Sequence, residues 1–217
     1  MTVVYEGPSE IDGKPIVAVL TEGSKNLKTG NMAQIWILCQ NETPLEAVKS
    51  GNDTSICGNC ALRGDSCYVN LAFAPSSVYK AYKRGIYRHR LPKHAAKHRS
   101  IRIGAYGDIF ALPKKIVKEL IKASAGHTAY THQWREQKAQ YLKGIAIASV
   151  DSLQEYKEAK SLGWQTFRIY KDSKPLKTEK VCPAKPGKYE CIDCLRCSGT
   201  GDDICTKIHG ASWKIER

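Results

Sequence analysis

The residues with the plainest chemistry lie near the carboxyl end, in Cys182-Pro183 and in Cys191-Ile192-Asp193-Cys194-Leu195-Arg196-Cys197. Three cysteines stand at two-residue gaps, and a fourth precedes them in a Cys-Pro pair. A CxxCxxC run lets one short loop wrap three thiolates around a cubic iron–sulfur cluster, with the fourth ligand supplied from elsewhere, often as Cys-Pro. Zinc sites usually draw their ligands in pairs. The spacing therefore favours a 4Fe–4S cluster on Cys182, Cys191, Cys194 and Cys197 over zinc or a set of buried free thiols.

A second group, Cys57, Cys60 and Cys67, sits in the loop 55–68. Gly58 lets that loop fold back so that the first two sulfurs face one point. Three thiolates need a fourth ligand, and Cys205, Cys39, a histidine or a non-protein ligand could supply it. Two arrangements stay open. One is a second metal site, either iron–sulfur with an open corner or zinc. The other is a single composite site drawing on both groups. Seven clustered cysteines exceed what one four-ligand cluster needs, which favours two sites. Cys39, inside Ile35-Trp36-Ile37-Leu38, reads as a small core residue. His209 reads as an outer hydrogen-bond partner of the cluster segment 181–210 rather than a ligand, because four cysteines suffice.

Between Leu71 and Arg102 there is no acidic residue. The stretch carries Lys80, Lys83, Arg84, Arg88, Arg90, Lys93, Lys97, Arg99 and Arg102, interleaved with Tyr79, Tyr82, Tyr87, His89, His94 and His98. Cations among aromatic rings suit phosphate contacts and base stacking, so the basic residues from Lys80 to Arg99 are the candidate surface for nucleic acid or nucleotide. The competing role is a solvated helical face. Pro75-Ser76-Ser77 predicts a helix to about Gly85, with Lys80 and Arg84 on one face, and Pro92 predicts a second short helix with Lys93 and Lys97 on one face. His94 and His98 lack the intervening Glu of a metal-binding helix and read as surface residues.

The whole chain carries 34 Lys and Arg against 21 Asp and Glu, a net +13, which favours polyanionic partners. Its 217 residues suit one α/β domain, and a hydrophobic fraction of 42% is enough for a real core. The N-terminus lacks a signal-peptide pattern, and no apolar run reaches the ~18 residues of a membrane span. A cytoplasmic location and no membrane partner are expected. In that compartment nine cysteines point to metal or redox chemistry rather than disulfides.

The elements that must position these groups come from hydrophobic periodicity. Gly7-Pro8 and Asp12-Gly13 are turn signals. Ile16–Leu20 and Ile35–Leu38 read as buried strands. The loop between them ends in Lys28-Thr29-Gly30 but lacks the P-loop pattern. Further strands are expected at Ile101–Tyr106, Thr128–His132, Gly144–Ser149 and Thr166–Tyr170. Helices are expected at Lys114–Ser124, with Ile116, Val117, Leu120 and Ile121 on one face, and from Ser152 to about Leu162. Strand–helix–strand units of this length specify parallel pairing. Each strand ends in polar residues: Tyr106 and Asp108, Tyr130 and His132, Ser149 and Asp151, Tyr170 and Lys171. Ligand sites in parallel α/β folds gather at such ends. His132 is the best acid–base candidate there, with Asp108 and Asp151 beside it; a buried histidine and a helix cap are their competing roles.

The combination Ile101-Arg102-Ile103-Gly104-Ala105-Tyr106-Gly107-Asp108, Ala129-Tyr130-Thr131-His132, Ala148-Ser149-Val150-Asp151-Ser152, Val181-Cys182-Pro183-Ala184, the CxxCxxC run and His209-Gly210 resembles a family of cysteine-rich iron–sulfur proteins encoded by bacteriophages and some bacteria. The likeness spans about residues 24–210. It implies a phage origin, hence the host cytoplasm, a 4Fe–4S cluster, a partial or irregular TIM-type barrel, and no settled activity. The parallel strands and cluster also look like radical S-adenosylmethionine enzymes, but their CxxxCxxC motif is absent. The expected function is a cluster protein that binds nucleic acid or nucleotide. The alternatives are a redox or radical enzyme on a small phosphorylated substrate, served by an electron donor, and a metal-stapled binding module.

Overall fold

A computed structural model describes residues 1–208 except positions 24, 65, 66, 172 and 173; His209 lies outside the described residues. The strands are β1 (Thr2–Pro8), β2 (Pro15–Thr21), β3 (Ala33–Cys39), β4 (Arg88–His89), β5 (Ser100–Tyr106), β6 (Gly126–Thr131), β7 (Ile147–Val150), β8 (Thr166–Tyr170), β9 (Glu179–Val181) and β10 (Asp203–Lys207). They form one sheet in the order β4-β1-β2-β3-β5-β6-β7-β8-β10-β9. The β1–β2 and β2–β3 pairs are antiparallel, and every other pair is parallel. Among the described residues β4 and β9 are end strands, so the sheet is open.

The helices are α1 (Pro44–Ser50), α2 (Thr54–Cys57), α3 (Ala74–Lys83), α4 (Pro92–Ala95), α5 (Lys114–Ala123), α6 (Leu153–Ser161) and α7 (Cys191–Cys194). Local chemistry sets their ends. Thr43 and Glu46 form a capping box ahead of Pro44, and Gly51 closes α1 in the left-handed region. The α5 stripe meets the core through buried Val117 and Leu120, with Ile116 and Ile121 partly buried beside them.

One expectation in the basic stretch needs correction. Only four residues of α4 are helical, so Lys97 and His98 fall beyond it and share no helical face with Lys93 and His94. His98 has φ 60°, outside the right-handed region a longer helix would need. At the N-terminus, Gly7-Pro8 lies inside β1 rather than in a turn. Pro8 is the last residue of the strand, where its missing N–H breaks no ladder. The seventh strand begins at Ile147, not Gly144. Ile145 and Ala146 first donate to the Leu142 carbonyl, which closes a turn there.

Register separates two chemical faces. The Ile35–Ile103–Ala129 row and the Ala148–Thr166 pair lie on one side. The apolar members of these rows pack into the main core with Val117, Leu120 and Ala159 of the helices. The other side carries the Gln34–Arg102–Thr128 row, then Tyr130 opposite Ile147, and Ser149 opposite Phe167. Alternation along parallel strands normally buries apolar residues on both sides. Here the second side sets Gln34, Arg102, Thr128 and Ser149 beside Ile147 and Phe167, a more polar face that the C-terminal cysteine segment covers.

Candidate metal centre

The C-terminal segment is pinned to the polar face at both ends. The Cys182 N–H donates to the Cys205 carbonyl at 2.8 Å, and the Ala129 N–H donates to the Cys197 carbonyl at 3.0 Å. His127 Nε2 lies 2.9 Å from the Ile145 carbonyl and 3.2 Å from the Ser198 carbonyl, holding the chain just past Cys197. Cys197 is buried with Ile147 and Ile204, and Cys182, Tyr130 and Phe167 pack against them. Between these anchors Glu190 and Asp193 form a capping box around the one-turn α7, which presents Cys191 and Cys194.

The four thiols share one electrostatic neighbourhood. Burial pushes Cys197 up to about 12, and the charges of Cys182, Cys191 and Cys194 push in the same direction; a hydrogen bond with the Tyr130 hydroxyl acts the other way. Cys191 is raised by burial and by Cys182 and Cys194, against the pull of Arg102. Among the described residues no three His, Cys, Asp or Glu side chains converge closely enough to hold a single ion. A tetrahedral zinc site brings its sulfurs to about 3.8 Å of one another, from Zn–S bonds near 2.3 Å. A cubane places an iron behind each sulfur and keeps the four apart. Four thiolates are the donor set that a 4Fe–4S cluster takes.

The first cysteine group docks at the carboxyl ends of β5 and β6. Gly107, at φ 84°, lets the chain pass so close to β3 that a Cβ would stand 2.8 Å from Ile37 Cβ. The following Asp108 N–H donates to the Ile56 carbonyl at 2.6 Å, beside Cys57. Gln133, buried after β6, clamps the Cys57–Cys60 turn. Its Nε2 donates to the Cys57 carbonyl at 3.1 Å, and its Oε1 accepts from the Asn59 N–H at 3.2 Å. Arg63 braces the same turn through a two-pronged pair with Asp53 and a 3.2 Å bond to the Gly58 carbonyl. Burial pushes Cys60 up to about 12 and raises Cys57 and Cys67; Cys57 feels the charges of both others.

The three candidates at the strand ends do meet. His132 Nε2 lies 3.7 Å from Cys60 Sγ and 3.8 Å from Asp151 Oδ2. The Asp108 carboxylate is engaged by the backbone: one oxygen accepts from the Phe110 N–H at 2.9 Å and the other from the His132 N–H at 2.7 Å. Asp108 is thereby a bracket that fixes the His132 loop, and burial raises it above the usual carboxylate range. Ser152, not Asp151, caps α6, accepting from the Glu155 N–H at 3.1 Å.

A file of side chains joins the two cysteine groups. Arg102 Nη2 donates to the Tyr68 hydroxyl at 3.3 Å, and the Arg102 guanidinium stands 5.4 Å over the Tyr130 ring. Tyr68 follows Cys67, and the charges of Cys60 and Cys67 reach it; Tyr130 bonds Cys197. Tyr68 keeps 49% of its surface accessible, yet burial raises its hydroxyl above the ordinary value. Two hollows, of about 280 Å³ beside Val3, Tyr82 and His89 and about 340 Å³ beside Phe110 and Tyr141, have no cysteine in their walls.

No family model, curated protein or solved structure matches the chain. The geometry therefore carries the functional reading.

The remaining sequence candidates fall elsewhere. Lys80, Lys83, Arg84, Arg88, Arg90, Lys93 and Lys97 are exposed around α3, β4 and α4, and Arg99 is half-buried and pairs with Glu22 at 3.1 Å. Cys39 is in the core, donating to the Asn52 carbonyl at 3.3 Å. Cys205 lies in register with Arg168, a row beyond Ser149 and Phe167 and on the opposite face from them. Sequence reasoning missed Gln133, Tyr68 and the role of Arg102. Only Arg102 carried a signal, as the lone cation amid the apolar residues of β5.

Proposed function

We propose that the chain is a redox-type enzyme with two metal centres joined by the Tyr68–Arg102–Tyr130 file, on a sheet curled toward a partial barrel. Cys182, Cys191, Cys194 and Cys197 would hold a 4Fe–4S cluster. Cys57, Cys60 and Cys67 would hold a second metal, with His132 as the side chain nearest to completing it. A bound cluster supplies one-electron transfer. The observation that carries this reading is the file Tyr68–Arg102–Tyr130, which spans the space between the two cysteine groups. Cys60 Sγ and His132 Nε2, 3.7 Å apart, stand at the spacing of two ligands, and Cys57 and Cys67 would have to move in to complete the set. Two ligands of one tetrahedral ion, with bonds near 2.3 and 2.0 Å, stand about 3.6 Å apart.

In this reading His132 leaves the acid–base role and Asp108 orients its loop. Asp151 Oδ2, 3.8 Å from the same ring nitrogen, stands beside the second metal. Tyr130 donates to Cys197 and so stabilises a sulfur-rich anionic group there.

Paired variants test the reading. In anaerobically prepared protein, Cys194→Ser should remove acid-labile sulfide and most iron while sparing the second metal. Cys60→Ser should do the reverse. Loss of all metal in both variants would favour one composite site; unchanged metal in both would end the proposal.

A second reading, nucleic-acid contact, rests on a separate observation. The seven exposed cations from Lys80 to Lys97 make no carboxylate pair among the described residues. Their field is therefore uncompensated on the α3–β4–α4 side.

A further inference from the structure

The two other arginines that engage buried groups are neutralised within the fold. Arg168 holds Glu179 through two bonds of 2.6 Å, and Arg63 holds Asp53 through two of 3.1 Å. Arg102 is the exception. It lies in the middle of β5 on the polar face, and among the described residues it makes no ion pair. Its only hydrogen bond there is to the neutral Tyr68 hydroxyl, and its Nε is sealed from solvent without an acceptor. The next strand adds a second orphan in the same row. Thr128, in register with Arg102, is 2% exposed, and its hydroxyl has no partner among the described residues.

A guanidinium nitrogen sealed from water without an acceptor is costly, and so is a buried hydroxyl without a partner. Side by side in one row of the sheet face that the C-terminal cysteine segment covers, they describe what is missing: an acceptor with a negative charge and two oxygens. We propose that Arg102 and Thr128 form the binding site for the carboxylate of a small organic acid. The argument for carboxylate over phosphate is charge. One guanidinium fork matches a monoanionic carboxylate in two parallel bonds. A phosphate dianion would leave net negative charge beside Cys191 and Cys197 in a desolvated space, with Tyr68 and Tyr130 offering only neutral hydroxyls. This deepens the proposed function by naming its substrate class, and it rests on that reading for the role of the site but not for the binding itself.

The competing occupant of the positive charge is the metal-bound thiolate set, for which Arg102 would be only a counter-charge. Acetate, glycine and inorganic phosphate, each titrated against anaerobically prepared full-length protein by saturation-transfer NMR, separate the cases. The variants are Arg102→Gln, Arg102→Lys, Thr128→Val and, as a control on the exposed cations, the triple variant Lys80→Gln/Lys83→Gln/Arg84→Gln. Iron and sulfide are assayed in every sample. The expected result is saturable binding of acetate or glycine in preference to phosphate. It should weaken at least tenfold in Arg102→Gln, less in Arg102→Lys and Thr128→Val, and not at all in the triple variant, with iron unchanged throughout. Preference for phosphate, equal carboxylate binding by wild type and Arg102→Gln, or no saturable carboxylate binding overturns the proposal. So does loss of iron in Arg102→Gln, which makes Arg102 the counter-charge. Wild-type protein that binds carboxylate yet holds no iron would keep this site and remove the cluster reading.

Discussion

Replacing Gly58 with alanine tests how the first cysteine loop is held. Gly58 has φ 53° and ψ −129°, a conformation L side chains rarely adopt, and a Cβ there would stand 2.5 Å from both Cδ and Oε1 of Gln133. The backbone strain alone is worth about 1–3 kcal/mol. The neighbour that must move is not a free end. Gln133 is buried, and it holds the Cys57 carbonyl and the Asn59 N–H through two bonds worth about 1 kcal/mol each. Together the loss is about 3 kcal/mol, or a fall in Tm of about 6–12 °C for a chain of this size. Urea denaturation of Gly58→Ala should show a lower midpoint with unchanged slope. Its metal content should fall at the first cysteine group, because the Cys57–Cys60 turn leaves His132. Gly58→Ala/Gln133→Ala should be less destabilised than the sum of the two single variants, since the second change removes the clash. A Gly58→Ala protein within about 0.5 kcal/mol of wild type, with full metal content, would refute the clamp.

Other outcomes follow from the same packing. Glu179→Ala strands the buried Arg168 charge and should cost about 3–5 kcal/mol in chemical denaturation, the cost of breaking a buried pair from one side. His127 is held below its ordinary pKa by burial, so the fold favours its neutral ring. Its contribution is fully present above about pH 6.5 and is lost as pH falls through the lower folded value. Wild-type stability should therefore drop between pH 7.5 and 5 more steeply than that of His127→Gln, as read by urea midpoints at each pH. If the basic side contacts nucleic acid, log affinity for a short single strand should fall linearly with log salt, and Lys80→Gln/Lys83→Gln/Arg84→Gln should flatten the slope by about two; a salt-independent affinity rejects that contact.

The fold was legible where one force dominates. The β5–α5–β6 and β7–α6–β8 units announce themselves by periodicity. Thr166–Tyr170 matches the expected strand in both bounds, and the Lys114 helix ends one residue before its expected Ser124 end. The strands at 2–8, 179–181 and 203–207 were hidden because Gly-Pro, Lys-rich and Asp-rich sequence outweighs a few apolar residues. Their neighbours β2, β8 and β10 select them by pairing. In the site, the placement of Asp108, His132 and Asp151 at successive strand ends could be read from the chain, and all three meet near Cys60. What could not be read is side-chain role. Asp108 spends both oxygens on backbone N–H groups, and Arg102 stands out only once the partners of Arg63 and Arg168 are seen. Both facts depend on contacts between residues far apart in sequence.

Iron and acid-labile sulfide per chain, measured on protein purified without oxygen, test the central claim most directly. The account predicts about four of each on the Cys182–Cys197 set, with a brown colour lost on Cys194→Ser. Colourless wild-type protein carrying only zinc, or no metal, would contradict it.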